Sequence, residues 1–226
     1  MTTNWCRGAG ALTLVGALAL ALPAFGPPSP ARAAEVTTLA DAVGRVPVVP
    51  EHGGGFTPGA FPHWNAGQDL KDGCDTRGEV LLDEAIEAPS TGAGCVLSGG
   101  RWRSNYDGQE TTEPGSLEVV HTVQLAEAWE SGASKWTAAR REAYANDQGA
   151  STSLTAITAR TAKQRGDRDP ADWLPPVPAE HCRYIAEWVA TKLRWRLDAD
   201  TDEHEALKVF AEGPCEDTIV QHVTAP

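Results

Sequence analysis

The N-terminal export pattern sets the conditions under which the rest of this chain must fold. Arg7 supplies a positive n-region, and Ala11 to Phe25 is an apolar run too short to span a bilayer comfortably. Pro27, Pro28 and Pro30 break any helix there, and Ala31-Arg32-Ala33 is an A-x-A cleavage site. The expected export segment is 1–33, so the mature chain starts near Ala34 and is secreted, in an extracellular setting. No second apolar segment of membrane length follows, so no membrane span is expected after cleavage. Of the five cysteines, Cys6 leaves with the export segment. The other four, Cys74, Cys95, Cys182 and Cys215, read as two disulfides in an oxidising compartment. Three pairings are open. Cys74 with Cys95 and Cys182 with Cys215 is favoured because each closes a short loop within one region, and a loop of about 20 residues adds roughly 3 kcal/mol. Zinc is the rival use, but there is no C-x-x-C, and the adjacent side chains of His181 and Cys182 do not make a usual chelate.

Beyond the export segment, roughly 190 residues remain, enough for one compact domain. A Gly/Pro-rich segment, 34–68, precedes the domain expected over 69–226. Within it, 35–46 reads as a short amphipathic helix, and the rest as a linker that Phe61 and Trp64 anchor to the domain. Residues 76–87 read as a helix capped by Asp75 or Thr76. Residues 95–97 and 101–103 read as two strands of a hairpin around Ser98-Gly99-Gly100. Strands are expected at 117–123 and 154–158. Helices are expected from 125 and 137, at 159–164 with a stop at Gly166, and at 203–211. The strongest helix is 181–197, whose Tyr184, Ile185, Trp188, Val189 and Trp195 fall on one stripe.

The net charge of −12 argues against indiscriminate coating of nucleic acid. The charge is uneven, however. Between Lys135 and Arg168 lie Arg140, Arg141, Arg160, Lys163 and Arg165, opposed only by Glu142, Asp147 and Asp167. Arg140, Arg141, Arg160, Lys163, Arg165 and Arg168 are the candidate contacts for a phosphate backbone; a solvated helix surface is the plainer explanation. The preponderance of Arg over Lys, with abundant Ala and Gly, suggests a GC-rich bacterial source.

The stretch 117–176 carries the chemistry. A strand ending in a histidine, a crossover helix, a second strand and a helix is the order of a ββα-metal nuclease site. There, a histidine deprotonates water, and a divalent cation such as Mg²⁺ stabilises the developing charge. The run from Leu117 to Trp129 (LEVVHTVQLAEAW) resembles the Asp-His motif region of secreted HNH endonucleases related to the C-terminal domain of GmrSD-type restriction enzymes. So do Ser131-Gly132-Ala133, Trp136-Thr137, the run from Arg140 to Asp147, Gly166-Asp167, Asp169-Pro170 and Trp173-Leu174-Pro175-Pro176. The upstream Cys74 to Leu81 and Tyr106-Asp107-Gly108 match as well, so the likeness runs from about Phe56 to about Leu207. It implies an α+β fold: a ββα-metal, HNH-like nuclease core with added helices and two disulfides. It implies His121 as general base, Asn146 as a residue orienting the site, and DNA as substrate, with RNA as the alternative.

Two departures fall on the expected metal ligands. The family has Asp immediately before the histidine, where this chain has Val120. It has Asn where this chain has Ala162, and Lys where this chain has Arg165. Neither Val nor Ala offers a lone pair to a cation. Substitutes could come from Glu118, two positions from Val120 on the same strand face and about 6.6 Å along the chain, or from Asp167. Two functions follow. One is an exported endonuclease with impaired metal-dependent hydrolysis. The other is a non-catalytic HNH-fold protein that binds nucleic acid or a protein partner. A purely structural wall protein ranks third. No Ser-His-Asp order, phosphate-cradling glycine loop or C-x-x-C redox pair is present.

Overall fold

In a computed structural model of the chain, residues 1–3 and 33–226 are described, and the expected export segment falls almost entirely outside them. The chain from 34 onward begins with strand β1 (Glu35–Thr38), helix α1 (Leu39–Val43) and helix α2 (Thr76–Asp83). Four two-residue strands follow: β2 (Ser90–Thr91), β3 (Leu97–Ser98), β4 (Trp102–Arg103) and β5 (Glu110–Thr111). Next come strand β6 (Leu117–His121), helices α3 (Leu125–Glu130) and α4 (Ala138–Ala145), strand β7 (Leu154–Thr158) and helix α5 (Ala159–Arg165). Helix α6 (His181–Trp195), helix α7 (Thr201–Ala211) and strand β8 (Ile219–His222) complete an α+β fold.

The single helix expected over 35–46 is a strand followed by a shorter helix. Val36, Thr37 and Thr38 are β-branched, and β1 pairs antiparallel with β8, Glu35 opposite His222. Thr38 then accepts a hydrogen bond from the Asp41 N–H and caps α1. The helix buries Leu39, Ala42 and Val43 in the main core. Residues 33–226 fall within one compact unit, so the 34–68 segment lies against the domain. Phe61 is fully buried, as its anchoring role requires.

The expected 95–103 hairpin is absent. β3 pairs with β2 and β4 with β5, each antiparallel. Gly99 and Gly100 turn the chain with positive φ, but Trp102 turns inward, where its indole N–H donates to the Leu81 carbonyl at 2.6 Å. That burial points β4 toward α2 rather than toward β3.

Both disulfides form as favoured. Cys74 joins Cys95 with Cα atoms 4.8 Å apart, and Cys182 joins Cys215 with Cα atoms 5.3 Å apart. Gly78 sits against the first bond; a Cβ there would lie 2.7 Å from the Cys95 sulfur.

The main core surrounds α6. Tyr184, Ile185, Trp188 and Val189 are fully buried there, with Leu207 of α7 and Val220 of β8. A smaller cluster holds Leu81, Trp102, Leu117, Val119 and Leu154 beneath β6 and β7. These two strands pair antiparallel, Leu117 opposite Thr158 and His121 opposite Leu154. Thr158 ends β7 and caps α5 by accepting from the Thr161 N–H at 3.2 Å, so the helix starts without a connecting loop and packs on both strands.

Candidate functional site

A cleft of about 490 Å³ opens beside the end of β6. Glu118, Val120 and His121 reach it from β6, and Ala162 from α5, followed by Gly166 and Asp167. Phe56, His63 and Trp64 line the opposite wall. The presumed base, both residues at the metal-ligand positions and both candidate substitute ligands therefore share one cleft.

His121 is 7% exposed, and its Nε2 lies 2.9 Å from the Ala145 carbonyl oxygen. A carbonyl can only accept, so the ring proton is on Nε2 and Nδ1 carries the lone pair. Nδ1 has no hydrogen-bond partner among the described residues and is not among their sealed, unsatisfied atoms, which leaves it facing the cleft. The ring is stacked by Trp64, 5.3 Å between centroids and 5° between planes, and by Tyr144 at 6.0 Å and 15°. Burial pushes the imidazole from 6.5 down to about 4, outweighing the hydrogen bond to Ala145, and nearby His63 and Arg165 push the same way. His121 is neutral at physiological pH.

A stability consequence follows. The unfolded chain takes up this proton near 6.5, the folded chain only near 4. Stability is intact with respect to this group above 6.5 and is lost as pH falls through 6.5 toward 4. Thermal melts over that range should fall more steeply for the parent than for His121→Gln. Parallel curves would contradict the assignment.

Asn146 lies outside the cleft. Its Oδ1 accepts from the Asn65 N–H at 2.8 Å and the Thr76 hydroxyl at 3.2 Å, and its Nδ2 donates to the Pro62 and Glu142 carbonyls at 2.9 and 2.8 Å. It clamps the 62–65 strap to α4 and α2. Asn146 is a positioning residue, because that strap carries His63 and Trp64 to the face of His121.

Three of the six candidate basic contacts are spent on partners within the fold, Arg165 fully buried and Arg140 and Arg141 half-buried. Arg165 is 1% exposed; its guanidinium donates to the His121 carbonyl at 3.0 Å, to the Thr122 carbonyl and to Gln124 Oε1 at 2.7 Å. The rings of Tyr106, Trp173, Tyr184 and Trp188 surround it at 5.5 to 5.7 Å. It holds the backbone turn after β6 and cannot meet a phosphate. Arg140 donates to the carbonyls of Trp195 and Pro226 and lies over the Trp136 ring at 4.7 Å. Arg141 donates to the carbonyls of Ala60 and Trp136. Arg160, Lys163 and Arg168 are exposed along α5 and its exit, and Lys163 and Arg168 adjoin in sequence Ala162 and Asp167, which line the cleft. Arg160 also lies 3.8 Å from Asp107.

The donor set beside His121 does not suit a hard divalent cation. Val120 and Ala162 are apolar and pack against the main core. Among the described residues, the acidic groups close enough to share an ion are Glu51 with Glu127 and Glu130, and Glu51 with Asp169 and Asp200. Neither includes Glu118, His121 or Asp167. Glu127 is already committed to Lys192 at 2.8 Å.

No motif in the sequence singles out His63, which lines the same cleft. Its Nδ1 lies 2.6 Å from the Phe61 carbonyl oxygen, so Nδ1 holds the proton and Nε2 the lone pair. Its ring centroid is 5.8 Å from that of His121, at 84°. The one available signal was its place between Phe61 and Trp64, the two residues expected to anchor the strap.

The chain is 31% identical over 196 residues to a protein of Arthroderma benhamiae (strain ATCC MYA-4681 / CBS 112371) named an uncharacterized secreted protein, a match covering 87% of this chain and 93% of that one. No family model matches the chain, and no solved structure matches it.

Proposed function

This chain belongs to the same family as that secreted fungal protein, and we propose that it keeps an HNH-type ββα scaffold whose cleft binds a nucleic-acid strand without metal-dependent hydrolysis. It is a secreted protein, and no helix among the described residues is long and apolar enough to cross a membrane. Three features support the HNH reading: the antiparallel β6–β7 pair, α5 following β7 directly, and a neutral histidine at the end of β6 with a free Nδ1. The observation that carries the loss of metal chemistry is the donor set. Val120 and Ala162 line the cleft beside His121, and among the described residues neither Glu118 nor Asp167, which share that cleft, belongs to a cluster of ligand atoms close enough together to hold an ion. A cation at this position would lack both expected ligands, so no step is routed through one.

Nucleic-acid contact falls to Arg160, Lys163 and Arg168, since the guanidinium groups of the other three basic candidates are spent on backbone carbonyls. Three phosphate contacts give a modest salt dependence, a slope of about −2 to −3 in log affinity against log salt. A mobility-shift series across salt concentrations reads it directly.

Plasmid nicking with Mg²⁺ or Mn²⁺ tests the reaction. The parent chain should not cut. Val120→Asp with Ala162→Asn should restore cutting, and adding His121→Ala should abolish it again. Cutting by the parent that disappears in His121→Ala alone would show that Glu118 or Asp167 supplies a ligand, and would overturn the proposal.

A further inference from the structure

We propose that His63 and His121 form a metal-independent acid–base pair that cleaves RNA by transfer to its own 2′-hydroxyl. The inference rests on the reading that the cleft receives a polynucleotide backbone, and goes beyond it in naming a reaction and a substrate class.

Both rings line the same cleft, 5.8 Å apart and nearly perpendicular. Each has one nitrogen tied to a backbone carbonyl, Ala145 for His121 and Phe61 for His63. Each therefore has one nitrogen left for chemistry: Nδ1 of His121 and Nε2 of His63. The two differ in solvent access. His121 is 7% exposed, whereas the His63 side chain is open to solvent. The pair is also held in place. Trp64 stacks on His121 at 5.3 Å, and Asn146 fixes the strap through Pro62 and Asn65 on either side of His63.

The donor set explains why RNA, rather than DNA, is the substrate. Hydrolysis of DNA needs an activated external water, and the residues that would hold an activating cation are Val120 and Ala162. RNA carries its own nucleophile. In the proposed step, Nδ1 of His121 takes the proton of the 2′-hydroxyl, and the 2′-oxygen bonds to the adjacent phosphorus. The bond from phosphorus to the 5′-oxygen breaks, and that oxygen takes a proton from Nε2 of the His63 imidazolium. The products are a 2′,3′-cyclic phosphate and a 5′-hydroxyl end, with His121 protonated and His63 neutral. Exchange with water restores both, and no oxidant, reductant or cation is consumed. Lys163 and Arg168, exposed and adjoining in sequence the cleft-lining Ala162 and Asp167, supply the local positive field for the strand.

The test uses the exported chain in EDTA with a DNA oligonucleotide carrying one ribonucleotide, and an all-DNA oligonucleotide of the same sequence. The expected result is a single cut 3′ to the ribonucleotide, a cyclic-phosphate end by mass spectrometry, and an intact all-DNA strand. His63→Ala and His121→Gln should each lower the rate by about 10²-fold or more, the size of one acid–base contribution. His63 is exposed, so its variant also shows whether a folded protein loses the reaction. No cleavage in EDTA, cleavage that needs an added divalent ion, or a rate unchanged in His63→Ala each overturns the pair. A mobility shift with the all-DNA strand separates the two readings. Binding without cleavage of the ribonucleotide strand removes only the pair, and absence of binding removes the polynucleotide cleft as well.

Discussion

Lys192→Ala should destabilise the fold by about 3–5 kcal/mol, the range for removing one partner of a buried ion pair. The Lys192 ammonium is fully buried and offers its three N–H donors to four oxygens within reach: Glu203 at 2.6 Å, Glu127 at 2.8 Å, the Ser131 hydroxyl at 2.8 Å and the Asp198 carbonyl at 2.7 Å. Burial alone would push its pKa down, but the Glu203 and Glu127 carboxylates outweigh burial and hold it above the ordinary value. Glu203, itself fully buried, is pushed up to about 8 by burial, against the pull of Lys192. Removing the cation leaves two carboxyl groups in the core without a counter-charge. Urea unfolding should show a midpoint lower by about 1.5–2.5 M at a slope near 2 kcal/mol/M. Adding Glu203→Gln to Lys192→Ala should recover at least about 1 kcal/mol, because the second change removes one of the two carboxyl groups left in the core without the lysine. A Lys192→Ala protein within about 1 kcal/mol of the parent would disprove the account.

Replacing Cys182 and Cys215 together by Ser should cost about 3.7 kcal/mol on the chain-entropy relation, for a bond spanning 33 residues. The same relation gives about 3.3 kcal/mol for Cys74 and Cys95, 21 residues apart. The Cys182–Cys215 bond ties the first turn of α6 to the chain just after α7, the stretch that leads into β8. Because β8 pairs with β1, its loss should also loosen the N-terminal strand. Hydrogen exchange should therefore rise at 35–38 and 219–222 in the Cys182/Cys215 variant and remain unchanged there in the Cys74/Cys95 variant. A loss under about 1 kcal/mol in both variants would mean that the bonds do not restrict the unfolded chain as the loop lengths require.

Much of this architecture was legible along the chain. The disulfide pairing followed from loop length, and the helix at α6 from an apolar stripe at helical spacing. β6 and β7 followed from their strand composition, and α5 from the terminating Gly166, while its Thr158 cap emerged only in the structure. The misreadings share one cause. Residues 35–46 have helical apolar spacing, yet Glu35–Thr38 is a strand because β8, nearly 190 residues away, offers it an edge. Residues 95–103 read as a local hairpin, yet both halves pair with more distant partners once Trp102 turns into the core. Local pattern records what a segment prefers alone, and long-range pairing overrides it.

The cleft divides in the same way. Export, two cysteine pairs, a histidine closing a strand and apolar residues at the expected metal-ligand positions were all set by residue identity and order. Those properties need no three-dimensional information, because a missing lone pair is missing in any conformation. The accessibility of a charge and the free nitrogen of a ring were decided only by the tertiary structure. Arg140, Arg141 and Arg165 look like Arg160 and Arg168 in sequence. Their guanidinium groups, however, are spent on backbone carbonyls and aromatic faces that other elements bring to them. His63 and His121 stand 58 positions apart, and they meet only because Asn146 draws the 62–65 strap across the end of β6. Which side chains face each other, and which nitrogen of each ring a carbonyl occupies, are properties of packing that no periodicity in the chain encodes.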